Sequence, residues 1–261
     1  MVMKINKQLL GEFFYDIYST DDLEERFKIY EKYVQTLGFD GVSYTFIPEF
    51  CLEKNSKQAP TFIFSELFPE SFIEQYSYDR FDKNDFTVKR IKAKKLEPMD
   101  WKIFKHSDEL SLEEKNVIVV ADNDHEIKNA ISVPTMSNDK GIAGASFVST
   151  ANSADFQQLK NERLEMLQLF TKLFHDSTVN HSVPSLISTF VMPTFLSLNQ
   201  KEIAVLRYLA SGKYLKNIKY STDISYSYAS NLLSSLRKKL GGISNEKMMY
   251  LIGLFNMMDH L

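Results

Sequence analysis

The strongest constraint on the fold is a run of apolar residues at helical spacing in the last quarter of the chain, Leu198–Gly241. Ile203, Leu206 and Leu209 recur at i, i+3 and i+6, so they form one face of a helix. Helices often end at a glycine in the left-handed conformation, and Gly212 follows at that position. The sequence therefore predicts a helix here, followed by a sharp turn.

Two more helices are predicted beyond that glycine. Leu215 and Ile218 mark a short one, and the hydroxyl of Ser225 can cap the next. A major groove admits one α-helix, whose early polar side chains can meet base edges and whose later basic ones can neutralise phosphates. We therefore expect base contacts from Tyr228, Ser230, Asn231 and Ser234, and phosphate contacts from Arg237, Lys238 and Lys239.

The charge distribution favours this nucleic-acid interface over the alternative that the basic residues only complement the helix dipole. From Leu196 onward, nine Lys and Arg residues stand against four Asp and Glu residues, a balance of about +5, whereas the whole chain carries −3. A net positive charge concentrated in one small region of an acidic protein is typical of a DNA-binding surface.

The same segment resembles the helix-turn-helix of the LuxR-type regulator family, whose pattern runs L-T-x-R-E, V-L, A-x-G, I-S-x-x-T-V and K-L-G. The matching stretches are LNQKE at 198–202, VL at 205–206, ASG at 210–212, IS at 224–225 and KLG at 239–241. Tyr228 and Ala229 replace the family's Thr and Val. Ser230 and Leu232 stand where it usually has Lys and often has His, which leaves the operator sequence open.

Length and composition indicate two domains. A chain of 261 residues with 44% hydrophobic content can bury one sizeable core and one small one. Residues 175–195 contain two prolines and several Ser and Thr, which is typical of a linker. We expect domains at 1–174 and 196–261. A single cysteine, Cys51, and the lack of a signal peptide or long apolar run predict a cytoplasmic protein without membrane contact.

The N-terminal domain is predicted to be α/β, with an antiparallel sheet flanked by helices in an α-β-α sandwich, and the C-terminal domain to be small and all-α. The period of the apolar pattern changes from helical to strand-like after a helix at Leu23–Leu37. Strands are predicted at Val42–Ile47, Thr61–Phe64, Asn116–Ala121, Ala130–Pro134 and Ile142–Ser149. A long amphipathic helix, Phe156–Phe174, is expected to pack on the sheet and to pair with a second protomer in a homodimer.

The segment Phe68–Trp101 is the candidate small-molecule site. It contains Phe72, Tyr76 and Trp101 together with one acid, Asp85. Aromatic residues at i and i+4 usually belong to a core, and that alternative stays open on the pattern alone. An apolar pocket with a few converging polar groups is nevertheless the usual form of a ligand site.

This segment is also similar to the signal-binding domain of LuxR-type quorum-sensing regulators. That domain carries a Trp, a Tyr four residues on, Asp-Pro nine further and a second Trp about fifteen beyond. The resemblance implies an N-acyl homoserine lactone or a related signal, whose amide N–H donates to Asp85 and whose acyl carbonyl accepts from Tyr76. It implies that Trp101 packs against the head group, that Ser146 adds a hydrogen bond, and that Phe68, Ile131 and Val133 line the acyl tail.

Three departures from the family pattern point to an altered signal or altered contacts. Phe72 replaces the Trp whose indole donates to the lactone carbonyl, and a phenyl ring has no donor. Leaving that carbonyl without a partner costs about 1 to 3 kcal/mol, or roughly tenfold to a hundredfold in affinity. Phe86 replaces the Pro after the acid, and Ala130 replaces a Gly before a strand.

The sequence also bears on two other classes of function, an enzyme and a ligand-independent regulator. An enzyme is not expected, because the five His are scattered and no metal-ligand spacing or Gly-rich phosphate loop occurs. The sequence therefore predicts no catalytic residue, cofactor or metal. The stronger rival is a ligand-independent LuxR-type regulator, whose N-terminal domain is filled by its own aromatic side chains and which is controlled by a protein partner or by abundance.

Overall fold

The computed structural model describes residues 6–53 and 55–259. They form two compact units. The N-terminal unit runs to Phe46 and includes Ala59–Ser137 and Ile142–Leu186, and the C-terminal unit comprises Ile47–Gln58, Asn138–Gly141 and the chain from Ile187. No helix in the described ranges combines the length and apolar character needed to cross a bilayer.

The N-terminal part of the chain contains these α-helices and β-strands: α1 (Lys7–Ile17), α2 (Leu23–Thr36), β1 (Gly41–Pro48), α3 (Glu49–Leu52), β2 (Phe62–Phe64), α4 (Glu70–Tyr78), α5 (Phe86–Lys92), β3 (Met99–Asp100), α6 (Trp101–Lys105), α7 (Leu112–His125), β4 (Asn129–Asn138), β5 (Gly141–Ser149), α8 (Ser153–His181) and α9 (Val183–Leu186). The remaining part contains α10 (Gln200–Ala210), α11 (Tyr226–Lys239) and α12 (Asn245–Leu254). Short 3-10 helices lie at Phe81–Lys83, Met192–Phe195, Leu215–Tyr220 and Met257–Asp259, and a π-helical turn lies at Ile187–Val191.

The five strands form one sheet in the order β2-β1-β5-β4-β3, which confirms the predicted antiparallel sheet with flanking helices. Successive side chains of a strand point to opposite faces. On β1, Tyr44 reaches α8, where its hydroxyl is 2.8 Å from Nδ1 of His175. The next pair in the register, Thr45 and Phe62, lies on the other face, where the Phe62 ring contacts Tyr76 of α4. The sheet therefore separates α8 from α4.

Helices α1 and α2 pack on α8 through aromatic side chains. Phe13 lies 4.4 Å from Phe170 between ring centroids, and Tyr30 stacks on Phe174 at the same distance. The Tyr30 hydroxyl donates to Thr171 at 2.9 Å, which satisfies a buried polar group inside this apolar layer. These contacts build the core that covers one face of the sheet.

A buried arginine joins this helical layer at its end. Arg26 of α2 has no solvent exposure and donates to the carbonyl of Ile17 at 3.1 Å and to that of Ser177 at 2.8 Å. It also donates to the Ser182 hydroxyl and to the Thr20 carbonyl. One guanidinium thus ties the end of α1 and the turn before α2 to the end of α8.

The segment predicted as a strand at Asn116–Ala121 is a helix, so that prediction is wrong. Ser111 and Glu114 form a capping box that starts α7, and the buried residues Val117, Ile118 and Ala121 share one helical face. Local capping and packing override the strand preference of a Val/Ile run. Strand β3, with two residues, was not predicted.

The segment predicted as a linker, residues 175–195, is largely helical. Helix α8 continues to His181, and the division between the two units follows Leu186, inside the predicted range. The two prolines of the segment 175–195 lie near the starts of helical turns, Pro184 in α9 and Pro193 in the 3-10 helix that follows. A backbone N–H at the start of a helix has no acceptor within the helix, so a proline there costs no hydrogen bond.

The predicted helix-turn-helix is confirmed within the C-terminal unit. Helix α10 is followed by Gly212 at a φ of +77°, and Ser225 caps α11 by accepting from the Tyr228 N–H. Helix α11 is followed by Gly241 at a φ of +82°. Each helix boundary therefore coincides with the residue that the sequence assigned to it.

The Arg26 contacts predict a large loss of stability for Arg26→Met. Several buried acceptors would lose their donor, and each costs about 1 to 3 kcal/mol, so urea unfolding of the full chain should lose roughly 3 kcal/mol or more. The control is Lys28→Met, which removes an exposed bond to Glu24 four residues earlier and should cost less than about 0.5 kcal/mol. Equal effects of the two variants would contradict the anchoring role of Arg26.

Candidate functional site

The centre of the candidate ligand site is a hydrogen bond between two buried side chains. Tyr76 of α4 donates its hydroxyl to Oδ2 of Asp85 at 2.7 Å. Both residues are over nine-tenths buried. Burial and the nearby Asp85 raise the pKa of Tyr76 well above its usual value, so the phenol keeps its proton and stays a donor. The structure thus brings together the polar pair that the sequence singled out.

Asp85 also has a structural role as the N-cap of α5. Its Oδ1 accepts from the Thr87 N–H at 2.7 Å and from the Thr87 hydroxyl at 2.8 Å. Burial raises the pKa of Asp85, and the hydrogen bonds from Tyr76 and Thr87 oppose that rise. One oxygen therefore serves the helix, and the other faces Tyr76.

A second polar group forms a relay across the sheet. The Trp101 indole N–H donates to the Ser132 hydroxyl at 2.8 Å, and Ser132 lies 2.7 Å from the Ser146 hydroxyl. When the Ser132 hydroxyl donates a hydrogen bond to Ser146, the Ser146 hydroxyl can donate to a further acceptor. The predicted residues Trp101 and Ser146 are therefore joined through Ser132, which the sequence analysis did not single out.

Phe72 connects the two polar groups through ring contacts. Its centroid lies 5.9 Å from that of Tyr76 and 6.1 Å from that of Trp101. The His125 ring covers it at 5.5 Å and is hydrogen-bonded to Ser71 and Gln75 of α4. Phe72, Tyr76, Asp85 and Trp101 thus form one cluster, although they are spread over thirty residues of chain.

The residues predicted to line an acyl tail divide between the two faces of the sheet. Phe68 is buried just before α4. Ile131, by contrast, pairs with Asp100 in the register and lines a cavity of about 490 Å³ beside α8, together with Leu164. Val133 shares the face of Ile131 by strand alternation. Ile131 and Val133 therefore lie on the face opposite to Ser132 and Trp101, and the tail-lining role assigned to them stays a prediction.

Helix α11 exposes most of the predicted DNA-contacting side chains. The exposed members are Tyr228, Ser230, Asn231, Ser234, Arg237 and Lys238, while Ala229, Leu232, Leu233 and Leu236 are buried. Arg237 additionally donates through Nε to the Ile243 carbonyl at 2.8 Å. The polar face of α11 is therefore available to a partner along its length.

Lys239 is the exception among the predicted DNA contacts. Its ammonium lies 2.7 Å from Oε2 of Glu202 and 2.8 Å from the Ser197 carbonyl. Burial opposes the charge of Glu202, but hydrogen bonds from Lys239, the Asn199 backbone and Ser235 outweigh it and lower the pKa of Glu202. Lys239 thereby joins α11 to α10, which explains its presence without a phosphate.

Three further basic residues lie outside α11 and were not among the predicted DNA contacts. Lys213, Lys216 and Lys219 are exposed on and just before the 3-10 helix Leu215–Tyr220, which packs against α11. Their spacing of three residues on a short helix was the available signal. No group of three or more His, Cys, Asp or Glu in residues 6–53 and 55–259 could hold a metal ion.

The fold combines an α/β unit, which contains the buried Tyr76–Asp85 pair, with a helix-turn-helix unit. The sequence model described as "Autoinducer binding domain" matches residues 22–178. The chain therefore belongs to the autoinducer-binding domain family. A comparison with curated proteins finds no significant relative.

Two solved structures of SdiA share the fold, and a third solved structure is similar to part of the chain. Escherichia coli SdiA is 17% identical with a TM-score of 0.53, covering 96% of this chain and 98% of its own. SdiA in complex with octanoyl-rac-glycerol is 17% identical with a TM-score of 0.52, covering 98% of each chain. CepR2 from Burkholderia cenocepacia, titled an N-acylhomoserine lactone dependent LuxR family factor, is 14% identical with a TM-score of 0.46, covering 69% of this chain and 96% of its own.

The Tyr76–Asp85 bond predicts a coupled loss of stability. Tyr76→Phe should lower the free energy of unfolding by about 1 to 3 kcal/mol, because a buried carboxylate oxygen loses its donor. In an Asp85→Ala background the same change should cost far less, since the acceptor is gone. Urea unfolding of the four proteins measures this coupling. Tyr78→Phe, at a side chain 88% exposed, is the control and should change nothing.

Equal losses from Tyr76→Phe in the two backgrounds would contradict the bond as a contributor to stability. A loss confined to Asp85→Ala would mean that Asp85 acts only as the cap of α5.

Proposed function

We propose that this protein is a transcription regulator that senses an acylated small molecule through the Tyr76–Asp85 pair. As a homodimer, it binds a dyad operator with helix α11 of each protomer. In this proposal residues 1–174 sense the signal, 175–195 connect, and 196–261 bind DNA. The single observation that carries the sensing part is the buried hydrogen bond between Tyr76 and Asp85, because its two partners offer the donor and the acceptor that an amide needs.

An amide can enter this pair by exchange. Tyr76 has one hydroxyl proton, and it donates this proton in the hydrogen bond to Asp85. An inserted amide would donate its N–H to Asp85, and its carbonyl would accept a hydrogen bond from the Tyr76 hydroxyl, so that one hydrogen bond becomes two. Thr87 keeps the other Asp85 oxygen, so α5 retains its cap during the exchange.

The remaining contacts set the expected ligand class. Phe72 and Trp101 supply apolar surface beside the pair, and Ser146 supplies a hydroxyl at the end of the Trp101–Ser132 relay. Burial of an acyl tail adds about 0.8 kcal/mol per methylene, so tail length should influence affinity strongly. N-acyl homoserine lactones fit these groups, although Phe72 cannot donate to the lactone carbonyl.

A calorimetric comparison of matched ligands tests the sensing function. N-acyl homoserine lactones should bind the full chain about tenfold more tightly than esters that replace the amide N–H with oxygen, because only the amide can donate to Asp85. Tyr76→Phe should weaken the amide ligand about tenfold. Phe72→Trp should strengthen lactone binding by a similar factor, because it restores an indole donor. Thermal unfolding midpoints should rise with each bound ligand.

The competing function is the self-filled, ligand-independent regulator. The specific observation in its favour is that Tyr76 already packs against the rings of Phe62 and Phe72 while its hydroxyl is satisfied by Asp85. If no acylated compound or cell extract shifts the unfolding midpoint, and Phe72→Trp gains no affinity, the sensing proposal is overturned in favour of this one.

The proposed DNA contacts separate phosphate anchoring from base contact. Lys238→Ala should weaken binding to all duplexes and reduce the slope of log Kd against log salt by about 0.9, the value of one phosphate contact. Arg237→Ala should act similarly but also removes the bond to Ile243. Lys239→Ala is the matched control, because its ammonium is held by Glu202. It should lower stability and leave the slope unchanged. An unchanged slope for Lys238→Ala would contradict its phosphate role.

A further inference from the structure

The exposed face of α11 carries an uncharged stripe through its first three turns. Ser227, Asn231 and Ser234 lie at i, i+4 and i+7, so they align on the face opposite to the buried leucines. Tyr226 and Tyr228 flank the start of this stripe and are 55% and 43% exposed. No charged residue occurs in α11 before Arg237.

Basic residues surround this stripe rather than occupy it. Lys213, Lys216 and Lys219 lie on the neighbouring 3-10 segment, and Arg237 and Lys238 lie in the last turn of α11. Lys201 of α10 sits over the Tyr228 ring at 5.2 Å, which holds that ring at the side of the helix. The basic side chains that can contact phosphates are therefore separate from the uncharged side chains that can contact bases.

The chemistry of the major groove gives this separation a consequence. Guanine presents two acceptors, O6 and N7, which accept hydrogen bonds from the guanidinium group of Arg or the ammonium group of Lys. Adenine presents an acceptor beside a donor, which matches the amide of Asn, and thymine presents a methyl group, which matches an apolar surface. The first turns of α11 hold an amide and two aromatic rings, and they lack a guanidinium or ammonium group.

We propose that α11 reads A·T base pairs at the centre of each half-site, with Asn231 contacting adenine N6 and N7 and the Tyr228 ring contacting a thymine methyl. This inference rests on the proposed DNA-binding function. It adds the base preference and the residues that set it.

The test starts from the full chain. It is used to select binders from duplexes randomised over about 20 base pairs, the span of two half-sites one helical turn apart, in the presence and absence of acyl homoserine lactones. We expect selected half-sites with A·T pairs at the centre. Fluorescence anisotropy then measures Kd for chosen duplexes with modified bases, which probe the contacts without altering the protein.

Two base replacements identify the contacts. Replacing an A·T pair by inosine·5-methylcytosine gives the purine the major-groove acceptors of guanine, keeps the methyl group on the pyrimidine and leaves the minor groove free of the guanine amino group. It should weaken wild-type binding about tenfold and Asn231→Ala binding less than twofold. Replacing thymine by deoxyuridine removes only the methyl group and should weaken wild-type and Tyr228→Phe binding about fourfold, with no effect on Tyr228→Ala.

Tyr78→Ala, an exposed tyrosine of the N-terminal unit, is the control and should keep the wild-type response to both replacements. Selected sites with central G·C pairs, or wild-type indifference to inosine and deoxyuridine, would overturn the inference while leaving DNA binding in place. Failure to bind any duplex would overturn the proposed DNA-binding function and the inference with it.

Discussion

The alternation of side chains along the central strands is the constraint on which the arrangement of the N-terminal unit depends. The sheet is covered on both faces, so both side chains of one register pair face α8 and both side chains of the next pair face the side of α4. Asp100 and Ile131 face α8, where Asp100 meets the buried Lys160, whereas Ser132 of the next pair receives the Trp101 indole. A shift of one residue in this register would exchange the two sets and dismantle the polar relay.

Asp85 combines two roles in the N-terminal unit: it caps α5, and it carries the hydrogen bond that is proposed to be exchanged for a ligand. A carboxylate in an apolar site is costly unless its oxygens are satisfied. Thr87 satisfies one through the cap of α5, and Tyr76 satisfies the other. The second bond joins two side chains rather than a side chain and the backbone, so it can be exchanged for ligand bonds without unwinding a helix. In the proposed function the same residue therefore serves both the fold and the ligand.

The elements predicted well are those whose signals are local. Gly212, Ser225 and Gly241 each mark a helix boundary through their own backbone or side chain, and the structure has boundaries there. The run at Asn116–Ala121 was misassigned because the capping box upstream outweighs strand preference. The faces of Ile131 and Val133 could not be predicted, since they depend on a pairing with β3, a strand of two residues. Likewise, no pattern in the sequence pairs Lys239 with Glu202.

The C-terminal unit distributes its charges in a way that separates affinity from base preference. The salt bridge to Glu202 holds the Lys239 ammonium between α10 and α11. The other lysines near α11, together with Arg237, lie at the edges of the exposed surface. Contacts of such residues with phosphates strengthen binding to any sequence and weaken with salt. The uncharged stripe contributes little to that general attraction, so discrimination among duplexes depends on few contacts per protomer. Because each good base contact discriminates by only about 1 to 3 kcal/mol, the proposed homodimer would gain most of its selectivity on a dyad site by doubling those contacts.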